Sequence, residues 1–438
     1  MTSIEIPSEV ISIGESTFSG CSSLTSIDLP SGLTSIGNYA FYCCPFTSLD
    51  LPDGVTSIGN SAFFGCSSLT SVNFPSGVTS IGNETFSGCS SLTSIEIPNN
   101  VTSIGSGVFS GCLSLISIDL PSGVTSIGNS AFYGCSSLTS INIPNGVISI
   151  SAYALSKCTS LTSVTIGDSV FSIGNSAFSG CSSLTSIDLP SGLTSIGNYA
   201  FKDCSSLTSI ELPSGLTSIG DEVFRECSSL ASIDLPSGIT SIGNYAFYGC
   251  PFTSLDLPDG VTSIGNNAFS NCYRLTSINF PSSVTSIGDF AFVYCSSLTS
   301  VYITDLSAWC NITFGDSFSN PLRNGARLYL NNNELTELVV PADIKRIKDY
   351  AFYGYKSLQK VTMGTDVTSI GIHSFRNCSS LTQVYCNGTT PPTINPSSAN
   401  SSFNGSSDNR TLYVPADCVS KYQSSDWASF FKTIVEME

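Results

Sequence analysis

The chain has 438 residues, of which 41% are hydrophobic and 11% charged, and 32 acidic side chains stand against 15 lysines and arginines for a formal net charge of −17. Such a field repels phosphate backbones and anionic lipid surfaces, so nucleic acid and membrane insertion are excluded as first choices, and no apolar run reaches the ~18 residues of a bilayer span. Cationic or uncharged partners fit better. The imbalance is local: up to Ile303 there are 20 acidic and 4 basic residues, with no Lys or Arg before Lys157, whereas the remainder carries 12 and 11.

The chain opens on MTSIEIP, partway through a unit that then recurs almost without change. SLTSIDLPSGLTSIGNYAF ending at Phe201 returns as SLASIDLPSGITSIGNYAF ending at Phe247. A marker cysteine stands at Cys21, Cys44, Cys66, Cys89, Cys112, Cys135, Cys158, Cys181, Cys204, Cys227, Cys250, Cys272 and Cys295, at steps of 23 or, twice, 22. A fixed period in this range predicts a solenoid, one elongated domain in which each unit contacts mainly its neighbours. A start inside a unit, with no signal peptide, predicts that Met1 is a cut boundary with a targeting segment or N-terminal cap upstream.

Within one unit, Leu24, Ile27 and Leu29 predict a short parallel strand that Pro30 closes. Leu33 and Ile36 add apolar contacts, Gly37 permits a tight bend, and Asn38 bonds exposed backbone there. Ala40, Phe41 and Cys44 then predict one short helical turn. Phenylalanine recurs at the Phe41 position from Phe18 to Phe292, with Leu155 as the one replacement, and predicts an aromatic spine. The periodic cysteines share one phase beside these apolar positions, so a column of buried free thiols is expected rather than a disulfide framework. Cys43, Cys310, Cys386 and Cys418 fall outside it.

LTSIDLPSGLTSIGNYAFxxC and its variants resemble the treponemal-type leucine-rich repeats of the BspA-like surface proteins, over about residues 1 to 303 and again 335 to 390. The resemblance implies a right-handed leucine-rich repeat superhelix, a place on a bacterial cell surface or in secretion, and adhesion to host matrix proteins or cells. The boundaries read as follows: 1–303, a solenoid of about thirteen repeats; 304–334, a non-repeat island with a hairpin; 335–390, resumed repeats; 391–438, a loop and C-terminal cap. LPSGLTSIGNYAFYCCPFTSLDLPDGVTSIGN from Leu29 recurs nearly unchanged from Leu235. Copies this alike argue against a dedicated pocket in any one of them.

Strand alternation turns Ile27 and Leu29 inward and Ser26 and Asp28 outward, onto the sheet face that is concave in leucine-rich solenoids. Nine of the fourteen residues at the Asp28 position are acidic: Glu5, Asp28, Asp50, Glu96, Asp119, Asp188, Glu211, Asp234 and Asp256. One reading is a polyanionic groove for a basic partner or Ca²⁺, although a flat Ser/Asp ladder offers fewer than the six to eight converging oxygens calcium takes. The other is a solubilising face that prevents edge pairing. The expected partner is a host matrix protein, a cell-surface protein or a glycan. The alternative is a stalk that displays another domain and binds nothing itself.

The repeat breaks at Thr304, where DLSAWCNITFGDSFSNPLRNGARLYLNNNELTELVVP intervenes. RLYL and ELTELVV read as two strands joined by an Asn-rich turn. Trp309, Arg323 and Arg327 are a candidate recognition surface, because Trp and Arg concentrate in binding hot spots; the competing reading packs the insertion back over the solenoid. GDSF at Gly315 and GDSV at Gly167 are similar to the nucleophile block of a lipase-like hydrolase family. That chemistry needs a base near its serine, and the chain's one histidine, His373, lies in the repeat-derived segment SIGIHSF. No GxGxxG, GxxxxGK, HExxH or paired CxxC is present, so a non-enzymatic chain without cofactor or metal is expected.

After Pro392, NPSSANSSFNGSSDNR reads as a mobile loop with little core-forming capacity. TLYVPADCVSKYQSSDWASFFKTIVEM then supplies a strand, Asp417 as a helix cap, and Val419, Tyr422, Trp427, Phe430 and Phe431 as a cap over the last repeat.

Overall fold

A computed structural model describes residues 2–395 and 401–438. Two compact units are present, Met1–Leu216 with Glu222–Ala231, and Thr217–Asp221 with Ser232–Glu438. Each is a parallel β-solenoid in which every turn of chain repeats the same three sides.

The first side is the predicted strand. Ser26–Asp28 lies in register on Ser3–Glu5, and the same pairing recurs at Ser140–Ile143 on Ser163–Ile166. In the second unit it runs from Ser254–Asp256 through Ser277–Phe280 and Ser300–Ile303 to Arg327–Leu330. Pro30 ends the strand and opens a β-turn, closed by the Leu33 amide donating to the Pro30 carbonyl at 3.0 Å. The second side, Ser35–Ile36, is itself a strand: it pairs with Ser12–Ile13 and Ser57–Ile58. The spacing of Leu33 and Ile36 predicts only an apolar contact there. Its signal was present in the β-branched Ile recurring after Ser at every step.

The third side departs from the predicted helical turn. Alternate amides donate sideways to the next turn of chain, Tyr39 to Asn60, Phe41 to Ala62 and Cys43 to Phe64. The residues between them close local turns, Tyr42 on Tyr39 and Cys44 on Phe41. An α-helix needs every one of those amides for the carbonyl four residues back, so the two patterns exclude each other. The turns place Tyr39 and Cys43 in the left-handed region, φ 54° and 55°. Glycine takes the Cys43 position at Gly20, Gly65 and Gly88.

The core is built from columns. Phe18, Phe41, Phe63, Phe86, Phe109 and Phe132 stack with centroids 5.4–5.9 Å apart and planes within 14°. Cys66 and Cys89 donate their thiols to the Phe41 and Phe63 carbonyls, at 3.1 and 3.3 Å. The cysteines of the column are free, as expected, and buried from Cys44 onward; those outside it are free as well. Burial pushes the Cys89 and Cys158 thiols up to about 12. At the bend after the second side, the Asn60 side-chain carbonyl accepts from the Asn83 amide at 2.8 Å, repeating what Asn38 does for Asn60. A Cβ on Gly37 would stand 2.7 Å from the Glu15 nitrogen, so this bend requires glycine for close approach of backbones.

Both places read as breaks turn out to be degenerate turns of solenoid. In the 304–334 segment, Thr313–Phe314 continues the second side on Ser286–Ile287, and Arg327–Leu330 continues the first side. A short helix, Leu306–Cys310, fills the interval, capped by the Asp305 side chain. The predicted hairpin forms between Arg327–Leu330 and Asn333–Glu334, while Glu337–Val339 starts a separate sheet instead of completing it.

Near the C-terminus, Phe403 is fully buried and stacks on Phe375 at 5.4 Å, and Ser406 donates to the Phe375 carbonyl at 2.6 Å in the place of the marker cysteine. The expectation of a loop without core capacity therefore fails for 401–410; 396–400 lie outside the described residues. The cap adds two parallel strands, Thr411–Val414 and Thr433–Glu436, and buries Tyr422, Trp427 and Phe431. Asp417 does not cap the helix Val419–Gln423: it stands at φ 63° and donates its amide to Glu436.

Candidate functional site

The outward columns of the first side form as alternation requires. Ser26 and Asp28 are exposed, and Asp28 lies in register with Glu5. Asp50 and Asp256 are also exposed, and each accepts a hydrogen bond from the amide of the asparagine one turn on, Asn73 and Asn279. Glu96 and Asp119 pair across an isolated parallel bridge. Asp188, Glu211 and Asp234 are exposed at the same position of their units. Where two carboxylates adjoin, as at Glu5 and Asp28, repulsion at the interstrand spacing of about 4.8 Å leaves them hydrated; where an amide adjoins, the pair locks.

Grooves run where this side meets the proline turn. One, of about 730 Å³, has Glu96 and Asp119 on its rim above Phe74, Ile95 and Leu120. A second, of about 400 Å³, lies beside Asn279 and Tyr302 and is closed by the Asn331–Asn332 turn. The carboxylates are legible in the repeat, and the grooves are not. Each is a product of neighbouring turns, although proline at every corner was the available signal.

The three residues singled out in the 304–334 segment do not share one surface. Trp309 is 1% exposed, donates its indole N–H to the Ala351 carbonyl at 3.0 Å, and meets Phe280 and Phe314 edge-on. It is a core residue, and its place among candidate contacts is corrected on that ground. Arg323 is half-buried on the turn side, its guanidinium 3.3 Å from the Phe318 ring centroid and donating to the Ser317 hydroxyl at 2.9 Å. Arg327 alone stands on the sheet face, in register with Ser300 and 3.5 Å from Glu334.

The GDSF segment is a structural turn. Asp316 accepts from the Phe318 and Ser319 amides, both at 2.8 Å, which is what an Asx turn needs. Ser317 is occupied by Arg323, and His373 contacts Arg376 at 2.9 Å. Among the described residues no group of three or more His, Cys, Asp or Glu is placed to hold a metal ion, and no helix is long and apolar enough to cross a membrane.

Two parallel ladders joined by a proline turn, over stacked Leu, Ile, Phe and Cys columns, define a leucine-rich repeat solenoid. The profile of the BspA type leucine rich repeat region matches residues 1–116, 102–206, 194–320 and 325–426, and the chain belongs to that family. It is similar to a leucine-rich repeat protein from Bacteroides ovatus, at 33% identity over 71% of this chain and 76% of that one, with a TM-score of 0.53. A leucine rich cell surface protein from Faecalibacterium prausnitzii matches at 26% identity over 83% and 88%, with a TM-score of 0.41. A leucine-rich repeat protein of T. pallidum matches at 28% over 42% and 78%, with a TM-score of 0.33. Among curated proteins no sequence matches.

Proposed function

We propose that this chain is a non-enzymatic binding protein of a bacterial cell surface, or secreted, that holds host matrix proteins, cell-surface proteins or glycans through the polar and acidic face of its first side. The observation that carries this reading is the register-paired outward column of Ser26 and Asp28 and its copies, exposed and repeated turn after turn. Repetition favours multivalent contact, in which weak sites on one partner engage in parallel. Membership of the BspA type family supports the surface placement.

The test is binding of the whole chain to a panel of matrix proteins and glycans, with and without Ca²⁺ and across salt. Replacing Asp28, Asp119, Asp188 and Asp234 together by Asn removes four charges and keeps the shape. Binding through this face should weaken in that variant and fall steeply between ~0.05 and ~0.5 M salt, where the screening length drops below the spacing of partner charges. A partner that binds the variant and the parent alike at all salts would overturn the electrostatic reading. A chain that holds none of the panel would be the stalk.

A further inference from the structure

We propose that the groove beside Tyr302 is a binding site for a neutral saccharide, a reading that rests on the binding function above and assigns one ligand class to one place. Its volume of about 400 Å³ sits at the lower end of the ~300–1,000 Å³ of small-ligand sites. The buried side chains Leu257, Phe280 and Ile303 present only their edges to it, and half-buried Pro281 and Tyr302 supply the apolar surface. That surface suits the C–H face of a pyranose ring.

Polar groups on the rim are of the kind that read hydroxyls. Asp259, Asn279, Asn331 and Asn332 are all exposed there. An amide donates and accepts from one planar group, which matches vicinal hydroxyls that do the same. Asn279 gives its amide hydrogen to Asp256, so its orientation is fixed in advance and its carbonyl oxygen remains as an acceptor. Tyr302 is held as well: its ring stacks on Tyr329 with centroids 4.9 Å apart and planes at 20°. Preorganised groups of this sort bind without the entropic cost of ordering them.

The end wall exists only because the repeat changes here. Asn331 and Asn332 occupy left-handed positions, φ 51° and 66°, as a two-residue hairpin turn requires. The Asn331 amide donates to the Ile303 carbonyl at 3.0 Å, which docks the turn onto the strand that carries Tyr302. The groove beside Glu96 shares the proline corner and has neither tyrosine nor hairpin among its lining residues. No Lys or Arg lines the Tyr302 groove, so a phosphate or carboxylate would find Asp259 opposed to it and no counter-charge.

The experiment is saturation-transfer NMR and calorimetry on the full chain with four probes: methyl α-mannoside, lactose, maltose and N,N′-diacetylchitobiose. At least one should bind at millimolar concentration. Tyr302→Thr installs the residue that the same column carries at Thr165, and Asn332→Gly removes the amide while keeping the left-handed backbone. Each should weaken binding by about tenfold or more with an unchanged thermal melt, as expected when a site built to pair hydroxyls loses a partner. Failure of all four sugars, binding that survives both substitutions, or binding of a lysine-rich peptide in place of any sugar would overturn the proposal. The four-fold Asp→Asn variant leaves this groove intact. Loss of matrix binding there with sugar binding retained separates failure of the acidic face from failure of this site.

Discussion

The Cys378 thiol donates to the Phe352 carbonyl at 3.2 Å, and one turn later Ser406 donates to Phe375 at 2.6 Å from the equivalent place. In these two turns the position carries a small donor, whereas buried Tyr355 fills it in the turn before and sends its hydroxyl to the Leu328 and Leu335 carbonyls. Cys378→Ala should cost ~1–2 kcal/mol, through the cavity and the loss of one of the two hydrogen bonds that the Phe352 carbonyl accepts, whereas Cys378→Ser should cost less because the donor survives. Urea unfolding of the two variants decides it; equal losses would mean that only packing matters. The column itself was legible in the sequence because its period is exposed to simple counting. Its acceptor was not, since the Phe carbonyl sits on the preceding turn, 26 residues back.

At the scale of elements, the segment 304–334 shows how a rule of spacing misleads. The Phe292 amide donates to the Phe318 carbonyl as Phe269 does to Ala291, so buried Ser319 takes the spine position 27 residues after Phe292, and Phe403 follows Phe375 by 28; both fall outside a search for steps of 23. Both ladders nevertheless extend as far as Thr313–Phe314 and Arg327–Leu330, where the parallel pairing ends, because pairing depends on register across the ladder and tolerates extra chain in the corners. Trp309 stabilises that extra chain by filling the space between the Leu306–Cys310 helix and the turn at Ala351. Trp309→Ala should destabilise by ~3–5 kcal/mol and raise amide exchange in 305–314, while Trp309→Phe should retain most of the packing and lose about 1 kcal/mol with the indole hydrogen bond. Exchange mass spectrometry reads both. Unchanged exchange in the alanine variant would show that the helix is held by Asp305 and the ladders alone.

For the whole molecule, the buried thiols set a limit on alkaline stability. Desolvation holds Cys89, Cys158, Cys204 and Cys295 up to about 12, against an ordinary value of 9.0. Between those pH values the unfolded chain has released protons that the folded chain retains. Stability is thus complete below about pH 9 and falls as pH rises toward 12, by about 1.4 kcal/mol per thiol per pH unit. Urea midpoints measured from pH 8 to 10.5 should decline steadily, and Cys158→Ala with Cys204→Ala should flatten the decline while lowering its starting point. A flat profile in the parent would mean that the column is not kept dry.

By itself the sequence determined the repeat, the inward and outward faces of the first strand and the stacked Phe and Cys columns, because each follows from periodicity and from the alternation of side chains along a strand. The same alternation turns the acidic column outward. Tertiary structure alone decided that Ser35–Ile36 is a second ladder, that the third side donates its amides sideways instead of forming helix, and that Trp309 belongs to the core. The Tyr302 groove is of the same kind, since its walls come from strands and a turn separated by more than 70 residues in the chain, Leu257 to Asn332. The reason is common to all of these. A backbone hydrogen bond or a buried ring takes its partner from the adjacent turn, and that partner is chosen by register in space, which local sequence does not encode.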